Sequence, residues 1–190
     1  MAHPEELQAL NKAFTGLGVD EKSIVTILGK SRPEHRRSFR KASPHMFKED
    51  ERSFERWDDS HIKLLKNEFL RFKNAMVLWA MHPWERDARF IKEALREGPR
   101  AYSVIVEVAC TRSSDDLLGA RKAYHSLFDH SVEEDVATHV NGPERQLLVA
   151  LVSAYRYEGP KVKDDAAKSE AKLLAAAITN GGKKGVVENG

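Results

Sequence analysis

The same helical pattern occurs twice in this chain, about eighty residues apart. Residues 23–32 begin Ser-Ile-Val and end Lys-Ser-Arg, and residues 103–112 begin Ser-Val-Ile and end Cys-Thr-Arg. The opening serines and the closing arginines are each separated by 80 residues, so the register is kept throughout. A repeat of this period indicates units that bury their apolar faces against one another.

A third, incomplete copy is predicted near the C-terminus. The apolar positions of residues 7–14 align with those of residues 88–95 and again with those of residues 171–178. We predict repeats of five helices each, with one repeat in residues 1–82 and one in residues 83–160. Residues 161–190 are predicted to form a linker and the first helix of a third repeat.

Apolar residues recur mainly at spacings of three and four, and no convincing alternating pattern of a strand is present, so the predicted fold class is all-α. Ser31 and Glu34 are predicted to form a capping box, and Ser113 and Asp116 are predicted to do the same in the second copy. Helices are predicted at residues 4–15, 21–29, 32–47, 50–57, 60–82, 84–97, 101–110, 113–128, 131–138, 142–157 and 165–179.

Charge and cysteine content narrow the function classes. The 31 basic and 29 acidic residues are well mixed and give a formal charge of +2, so charge alone does not predict nucleic-acid binding. Cys110 is the single cysteine and is expected to be a small buried apolar residue in a cytosolic protein. We find no signal-peptide pattern, and no apolar run approaches the ~20 residues of a membrane span, so any membrane contact is expected to be peripheral.

A glycine loop between the first two predicted helices is the strongest candidate for a functional site. Residues 15–21 read Thr-Gly-Leu-Gly-Val-Asp-Glu, and the paired glycines allow backbone angles that aim carbonyl oxygens at a hard cation such as Ca²⁺. The second copy reads Arg-Glu-Gly-Pro-Arg-Ala at residues 96–101, so it keeps a turn without the glycine pair. A feature kept in one copy only is a candidate for function.

These residues resemble the annexins, most closely plant annexins. The resemblance rests on the loop at residues 16–21 followed by Ser23 and Ile24, on the repeated Arg32 and Arg112, and on the Ala-Cys-Thr-Arg-Ser run at residues 109–113. It implies an all-α fold of annexin-like repeats with right-handed superhelical packing, truncated to the first two repeats and the start of a third.

The resemblance also implies Ca²⁺-dependent binding to acidic phospholipid membranes. By motif position, the ion would be held by Thr15, Gly16 and Gly18, together with a distal acidic side chain. Alignment with the end of the fourth helix of an annexin repeat nominates Glu68, although the span from the glycine loop to this residue is about ten residues longer than is usual in the family. Asp58 or Asp59 could serve instead.

The equivalent position in the second copy is His139. Because Ca²⁺ prefers oxygen ligands, this copy is expected to lack such a site.

Ion conduction, catalysis and protein binding are the other functions to compare with the sequence. The resemblance places Asp87 and Arg112 on a hydrophilic channel, but we favour a structural ion pair that fixes how helices meet. No Gly-x-Ser-x-Gly, P-loop or Cys-x-x-Cys motif occurs, so we expect no enzyme. A helical protein-interaction scaffold without calcium binding is the alternative function.

Further expectations concern the partners, the location and one tryptophan. The sequence leaves open whether protein partners such as actin bind, and no nucleic acid is expected. The location is expected to be cytoplasmic, and peripheral at membranes when calcium rises. Trp57 is the tryptophan expected to be exposed.

Overall fold

A computed structural model describes residues 4–15, 20–62, 73–153, 157–161 and 163–184. The chain divides into two compact units, Met1–Arg156 and Tyr157–Gly190. The predicted repeat boundaries after residues 82 and 160 stay predictions.

The first part of the chain packs helices around one apolar cluster. Its helices are α1 (Pro4–Thr15), α2 (Glu21–Leu28), α3 (Pro33–Lys41) and α4 (Lys73–Ala80), and residues 59–62 form one further helical turn. Helix α1 packs on α2, and α2 packs on α4. In α1 and α2, apolar residues at spacings of three and four share one face, which the cluster buries together with Phe39 of α3; among them are Leu10, Phe14, Ile24 and Leu28.

The second copy contains five described helices, of which four match the predicted ranges within two residues and the last is shorter than the predicted 142–157. They are α5 (Pro83–Glu97), α6 (Tyr102–Thr111), α7 (Ser114–Phe128), α8 (Val132–His139) and α9 (Glu144–Val152), and a 3₁₀ turn at Pro99–Ala101 joins α5 to α6. A second apolar cluster lies between them, among its members Ile91, Ile105, Leu117, Tyr124 and Val136. The predicted all-α class is therefore confirmed.

A β-hairpin stands where helix 50–57 was predicted, so that prediction is wrong. Strand β1 (Phe47–Asp50) pairs antiparallel with β2 (Phe54–Trp57), with Phe47 opposite Trp57. The connecting residues 51–53 end in Ser53 at a φ of 67°, the left-handed conformation that closes three-residue hairpin loops. Asp50 stabilises this loop because its side chain accepts the backbone N–H of Arg52 at 2.9 Å.

The hairpin contributes aromatic side chains to both apolar clusters. Phe47 and Trp57 lie in the first cluster with ring centroids 4.2 Å apart, whereas Phe54 belongs to the second. Trp57 is fully buried, so the expectation that it is exposed was wrong. Its backbone N–H donates to the buried carboxylate of Glu85 on α5 at 3.0 Å. The hairpin thus ties the two copies together.

Only one of the two predicted capping boxes has a capping serine. Ser113 accepts the backbone N–H of Asp116 at 3.1 Å and caps α7. Ser31 instead donates its hydroxyl to the Leu28 carbonyl, and the residue before α3 is Arg32, which makes no side-chain cap. The Ser31 prediction is wrong because Pro33 keeps Arg32 extended and moves the start of the helix by one residue.

Helix α10 (Asp164–Lys184) lies in the second unit. Its apolar residues Leu173, Leu174 and Ile178 are each more than 60% exposed. Among the helices described in the structure, none combines the length and the apolar character that a membrane span requires.

Candidate calcium site

The residues predicted to hold calcium lie mostly outside the described part of the chain. Thr15 is the last residue of α1, while Gly16, Gly18 and Glu68 fall in the segments that the structure does not describe. The described surroundings of the site are the two flanking helices and the two alternative acids, Asp58 and Asp59.

Helices α1 and α2 form a fixed frame around the glycine loop. Both helices bury apolar residues in the first cluster up to the turns next to the loop, with Ala13 and Phe14 on one side and Ile24 on the other. Tightly packed interiors resist displacement, so the two ends of the loop are held at a set separation.

Asp20 at the exit of the loop serves as the N-cap of α2. Its carboxylate accepts the backbone N–H of Ser23 at 3.1 Å and also the Ser23 hydroxyl. These hydrogen bonds from Ser23 hold the pKa of Asp20 below its ordinary value. The cap satisfies N–H groups that the helix start leaves unpaired, and it commits this carboxylate to the helix.

Asp58 is engaged by the hairpin and by the turn that follows it. Lys48 of β1 forms an ion pair with its carboxylate, and the Ser60 backbone N–H donates to it at 2.9 Å. The hydrogen bonds from Lys48 and then Ser60 hold the pKa of Asp58 well below its usual range. Asp58 therefore caps the helical turn at residues 59–62.

Asp59 lies between two guanidinium groups. Arg56 of β2 contacts one carboxylate oxygen at 2.9 Å, and Arg89 of α5 contacts the other at 3.4 Å. Arg89 also pairs with the buried Glu85 at 2.8 Å. Asp59 is thus part of a charged chain that fastens the hairpin to the second copy.

No cluster of metal-binding side chains forms within the described ranges. Among these residues, no three or more His, Cys, Asp or Glu side chains are grouped so that they could hold a metal ion.

The equivalent loop of the second copy has a different construction. Gly98 adopts a φ of 79°, and the chain continues directly into the 3₁₀ turn before α6. His139, at the place of the distal acid, lies with its Nδ1 atom 2.8 Å from the Asp135 carbonyl oxygen. That this copy lacks a calcium site stays a prediction.

Asp87 and Arg112 form the expected structural ion pair. The Arg112 Nε and Nη2 atoms lie 2.6 and 2.9 Å from the two Asp87 oxygens, and Asp87 is almost completely buried. This hydrogen bonding raises the pKa of Arg112. The pair fixes the residue after α6 against α5.

One sequence expectation about the surface is wrong, and one surface feature was not predicted. Cys110 is exposed, not buried, because its position on α6 turns away from the apolar cluster. A group of arginines on α3 and α5 was also missed. The sequence pattern that could have indicated this group is the spacing of Arg36, Arg37 and Arg40 along one helix.

Sequence and fold together define the class: the chain belongs to the annexin family. A sequence model of that family, named Annexin, matches residues 86–151. The chain is 61% identical over 190 residues to Annexin D4 of Arabidopsis thaliana, covering 98% of this chain and 60% of that protein. It is 43% identical to Annexin Gh1 of Gossypium hirsutum, covering 93% of this chain and 53% of that protein. The chain thus spans little more than half of the length of these relatives.

Solved annexin structures share the fold. Annexin III superposes with a TM-score of 0.72 at 23% identity, covering 93% of this chain and 54% of that one. A structure titled calcium-bound annexin (Sm)1 superposes with a TM-score of 0.61 at 18% identity, covering 82% of this chain and 44% of that one.

Proposed function

We propose that this protein binds acidic phospholipid membranes in a Ca²⁺-dependent manner, through the glycine loop of its first repeat. The observation that carries the proposal is the loop itself, which keeps its paired glycines between two packed helices in one copy and not in the other. Membership of the annexin family supports it, and a relative of the same fold is described as calcium-bound.

The residue types in and around the loop fit calcium. Thr15 ends α1, so its carbonyl is among the last four of the helix, which lack partners within the helix and carry the negative end of its dipole. The carbonyls of Gly16 and Gly18 would add hard oxygen ligands, and Ca²⁺ takes six to eight of these at about 2.3–2.6 Å.

Glu68 is our proposed distal ligand. Asp58 and Asp59 are the competing acids, and both already pair with cationic side chains, Lys48 in one case and Arg56 and Arg89 in the other. Recruiting either acid to a metal would break these pairs. Coordination by Glu68 would leave these described pairs of Asp58 and Asp59 intact.

The membrane contact follows from the open side of such a site. Bound calcium would offer its remaining coordination positions to lipid phosphate oxygens. Lys12 in the last turn of α1 and the exposed Lys22 at the start of α2 flank the loop, and each would add about 1 kcal/mol of attraction near an anionic surface.

We expect the affinity for calcium alone to be weak. One carboxylate and several neutral oxygens give a low ligand charge, which corresponds to a dissociation constant of roughly 10⁻⁴–10⁻³ M. Several weak sites acting on one bilayer would be needed for firm attachment. With one proposed site in this chain, we expect weak attachment that is stronger to acidic than to neutral lipid.

The remaining proposals concern organisation. We propose repeats at residues 1–82 and 83–160 and the start of a third at residues 161–190. We also propose a binding role without catalysis, and a cytoplasmic location that becomes peripheral at membranes when calcium rises.

Vesicle co-sedimentation tests this function. The chain is mixed with vesicles rich in phosphatidylserine or made of phosphatidylcholine alone, each with Ca²⁺ or with a chelator. We expect partial pelleting, with the acidic vesicles and in Ca²⁺ only. Pelleting that is equal with chelator, or absent at millimolar Ca²⁺, would contradict the proposal.

A second function is favoured by one specific observation. The exposed apolar face of α10, formed by Leu173, Leu174 and Ile178, suits a calcium-independent helical scaffold that holds another protein. Sedimentation velocity with and without Ca²⁺ separates the two functions. Self-association of the chain that does not depend on calcium and is abolished by Leu174→Glu would favour the scaffold, provided that no vesicle binding is seen.

A further inference from the structure

A cleft between α3 and the start of α5 gathers basic side chains that no function described so far uses. Its volume is about 610 Å³. Arg36, Arg37 and Arg40 line it from α3, and His82 and Arg86 line it from the other side. None of these residues belongs to the proposed calcium site.

Arg40 lies at the bottom of the cleft, and the carboxylate of Glu55 balances its positive charge. It is 5% exposed, its Nε donates to Glu55 at 3.2 Å, and its Nη1 lies 3.5 Å from the Ala80 carbonyl oxygen. Lys41 also approaches Glu55, at 4.0 Å. Burial lowers the pKa of Arg40, and the hydrogen bond with Glu55 opposes that change.

Arg36 is held in place without a carboxylate. Its Nη1 donates to the Ser31 carbonyl at 2.6 Å, and its guanidinium carbon lies 4.2 Å from the centre of the Trp79 ring. Burial, followed by the positive charge of Arg86, lowers the pKa of Arg36. Two guanidinium groups are therefore close enough to repel each other.

The cleft holds more positive charge than its own acids balance. Within the described part of the chain, no carboxylate forms an ion pair with Arg36 or Arg37. Arg86 is 4.0 Å from Asp87, which Arg112 already binds. Of the acids that line the cleft, Glu55 pairs with Arg40, and Asp116 accepts the Ser113 hydroxyl at 2.7 Å. Glu34 is the third lining acid, and its charge acts on Arg36 by opposing the lowering of the Arg36 pKa.

His82 lies among these charges and reports on them. Burial, followed by the charge of Arg40, lowers its pKa to about 4, with Arg37 and Arg86 acting in the same direction and Glu55 opposing. Its Nδ1 accepts the backbone N–H of Trp84 at 3.2 Å. At neutral pH the imidazole is therefore uncharged, and a negative ligand in the cleft would raise its pKa.

We propose that this cleft binds a ligand carrying clustered phosphate groups, without calcium, through Arg37 and Arg86 with Arg36 beside them. A guanidinium presents paired N–H donors that match phosphate oxygens, and Arg36 is oriented before the ligand arrives. The volume lies in the range of small-molecule sites and exceeds what a single phosphate fills. The phosphates could come from a lipid headgroup or from a soluble compound.

Calorimetry in excess EGTA tests the cleft with two probes. Inositol trisphosphate represents the soluble source, and vesicles containing phosphatidylinositol bisphosphate represent the headgroup. The chelator makes the result independent of the calcium site. Binding of both probes assigns the cleft to soluble phosphates as well as headgroups. Binding of the soluble probe alone assigns it to soluble phosphates, and binding of the vesicles alone assigns it to the headgroup.

Arg37→Gln/Arg86→Gln is the test variant, because neither side chain has a structural role comparable to that of Arg40. Arg100→Gln/Lys168→Gln is the control, since it removes the same charge from exposed positions outside the cleft. We expect the test variant to bind at least about tenfold more weakly than the wild type, and the control to stay within about twofold. Equal weakening in the two variants, or no binding of either probe to the wild type, overturns the proposal.

Nuclear magnetic resonance of the wild type gives a readout that does not depend on a variant folding correctly. The His82 imidazole signal, identified by its loss in His82→Gln, is titrated with and without saturating inositol trisphosphate or, if only vesicles bind, a short-chain form of the lipid. The bound state should show a higher His82 pKa. An unchanged His82 pKa on saturation would place the ligand elsewhere and overturn the proposal.

Discussion

The two repeats differ in the segment that follows their third helix, which is α3 in the first repeat and α7 in the second. In the second repeat, α7 ends at Phe128, Asp129 adopts a left-handed φ of 58°, and Ser131 caps α8 with Glu134. In the first repeat, residues 42–58 separate α3 from the next helical turn, and they contain the hairpin β1–β2. One connection takes three residues and the other takes 17.

The difference shows that the longer connection is part of the core. Phe47 and Trp57 complete the first apolar cluster, and Phe54 enters the second. On the second repeat, Arg56 donates to the Ser126 carbonyl at 3.2 Å and Arg52 lies 2.8 Å from His125. The longer connection therefore packs against both repeats. The shorter connection ends α7 and caps α8 within the second repeat.

Removing the central side chain of the hairpin should have the largest effect. Trp57→Ala deletes a fully buried ring that packs on Phe47 and Phe14, and should lower the free energy of unfolding by about 3–5 kcal/mol. Urea unfolding followed by circular dichroism measures this. Leu118→Ala, at a 42% exposed position in the second repeat, should cost less than about 1 kcal/mol. Equal losses would mean that the hairpin is a surface loop.

The repeated arginines should differ in importance. Arg112→Ala removes both hydrogen bonds of the buried Asp87 with Arg112 and leaves only the longer contact with Arg86, so it should cost about 2 kcal/mol of unfolding free energy, since Arg112 itself is partly exposed. Arg32→Ala should change stability by less than about 0.5 kcal/mol, because among the described residues no ion pair involves Arg32. Thermal unfolding of both variants makes the comparison. A larger loss in Arg32→Ala would contradict it.

The two serines give the smallest contrast. Ser113→Ala removes the N-cap of α7 and should cost about 1 kcal/mol. Ser31→Ala removes a hydroxyl that donates to a carbonyl and caps no helix, so a smaller loss is expected. Urea midpoints of the two variants, with Ser113→Asp as a restoring control, check the assignment. A Ser113→Asp variant as unstable as Ser113→Ala would argue against the cap.

The sequence predicts the second repeat well and the hairpin poorly, for physical reasons. Helices α5, α6 and α7 of the second repeat have apolar residues at spacings of three and four over ten or more residues, where periodicity is a strong signal. The strands of the hairpin have four residues each, and Lys48, Glu49, Glu51 and Arg52 between the aromatic positions are typical of a solvated helix. Burial of Phe47, Phe54 and Trp57 depends on contacts with distant helices.

The candidate site likewise has a part that local sequence patterns predict and a part that they do not. The loop and its flanking helices follow from local patterns, namely the glycine pair and the helix start at Asp20. The distal acid depends on tertiary placement. The engagement of Asp58 by Lys48 could not be read from spacing, because it requires the hairpin to bring the two side chains together.

Calcium calorimetry on three proteins tests the central claim most directly: the wild type, Glu68→Gln and Asp59→Asn. The account predicts a weak, saturable signal in the wild type, a comparable signal in Asp59→Asn, and none in Glu68→Gln at the same concentrations. A signal that survives Glu68→Gln and disappears in Asp59→Asn would contradict the choice of ligand. The absence of any signal in the wild type would contradict the calcium site itself.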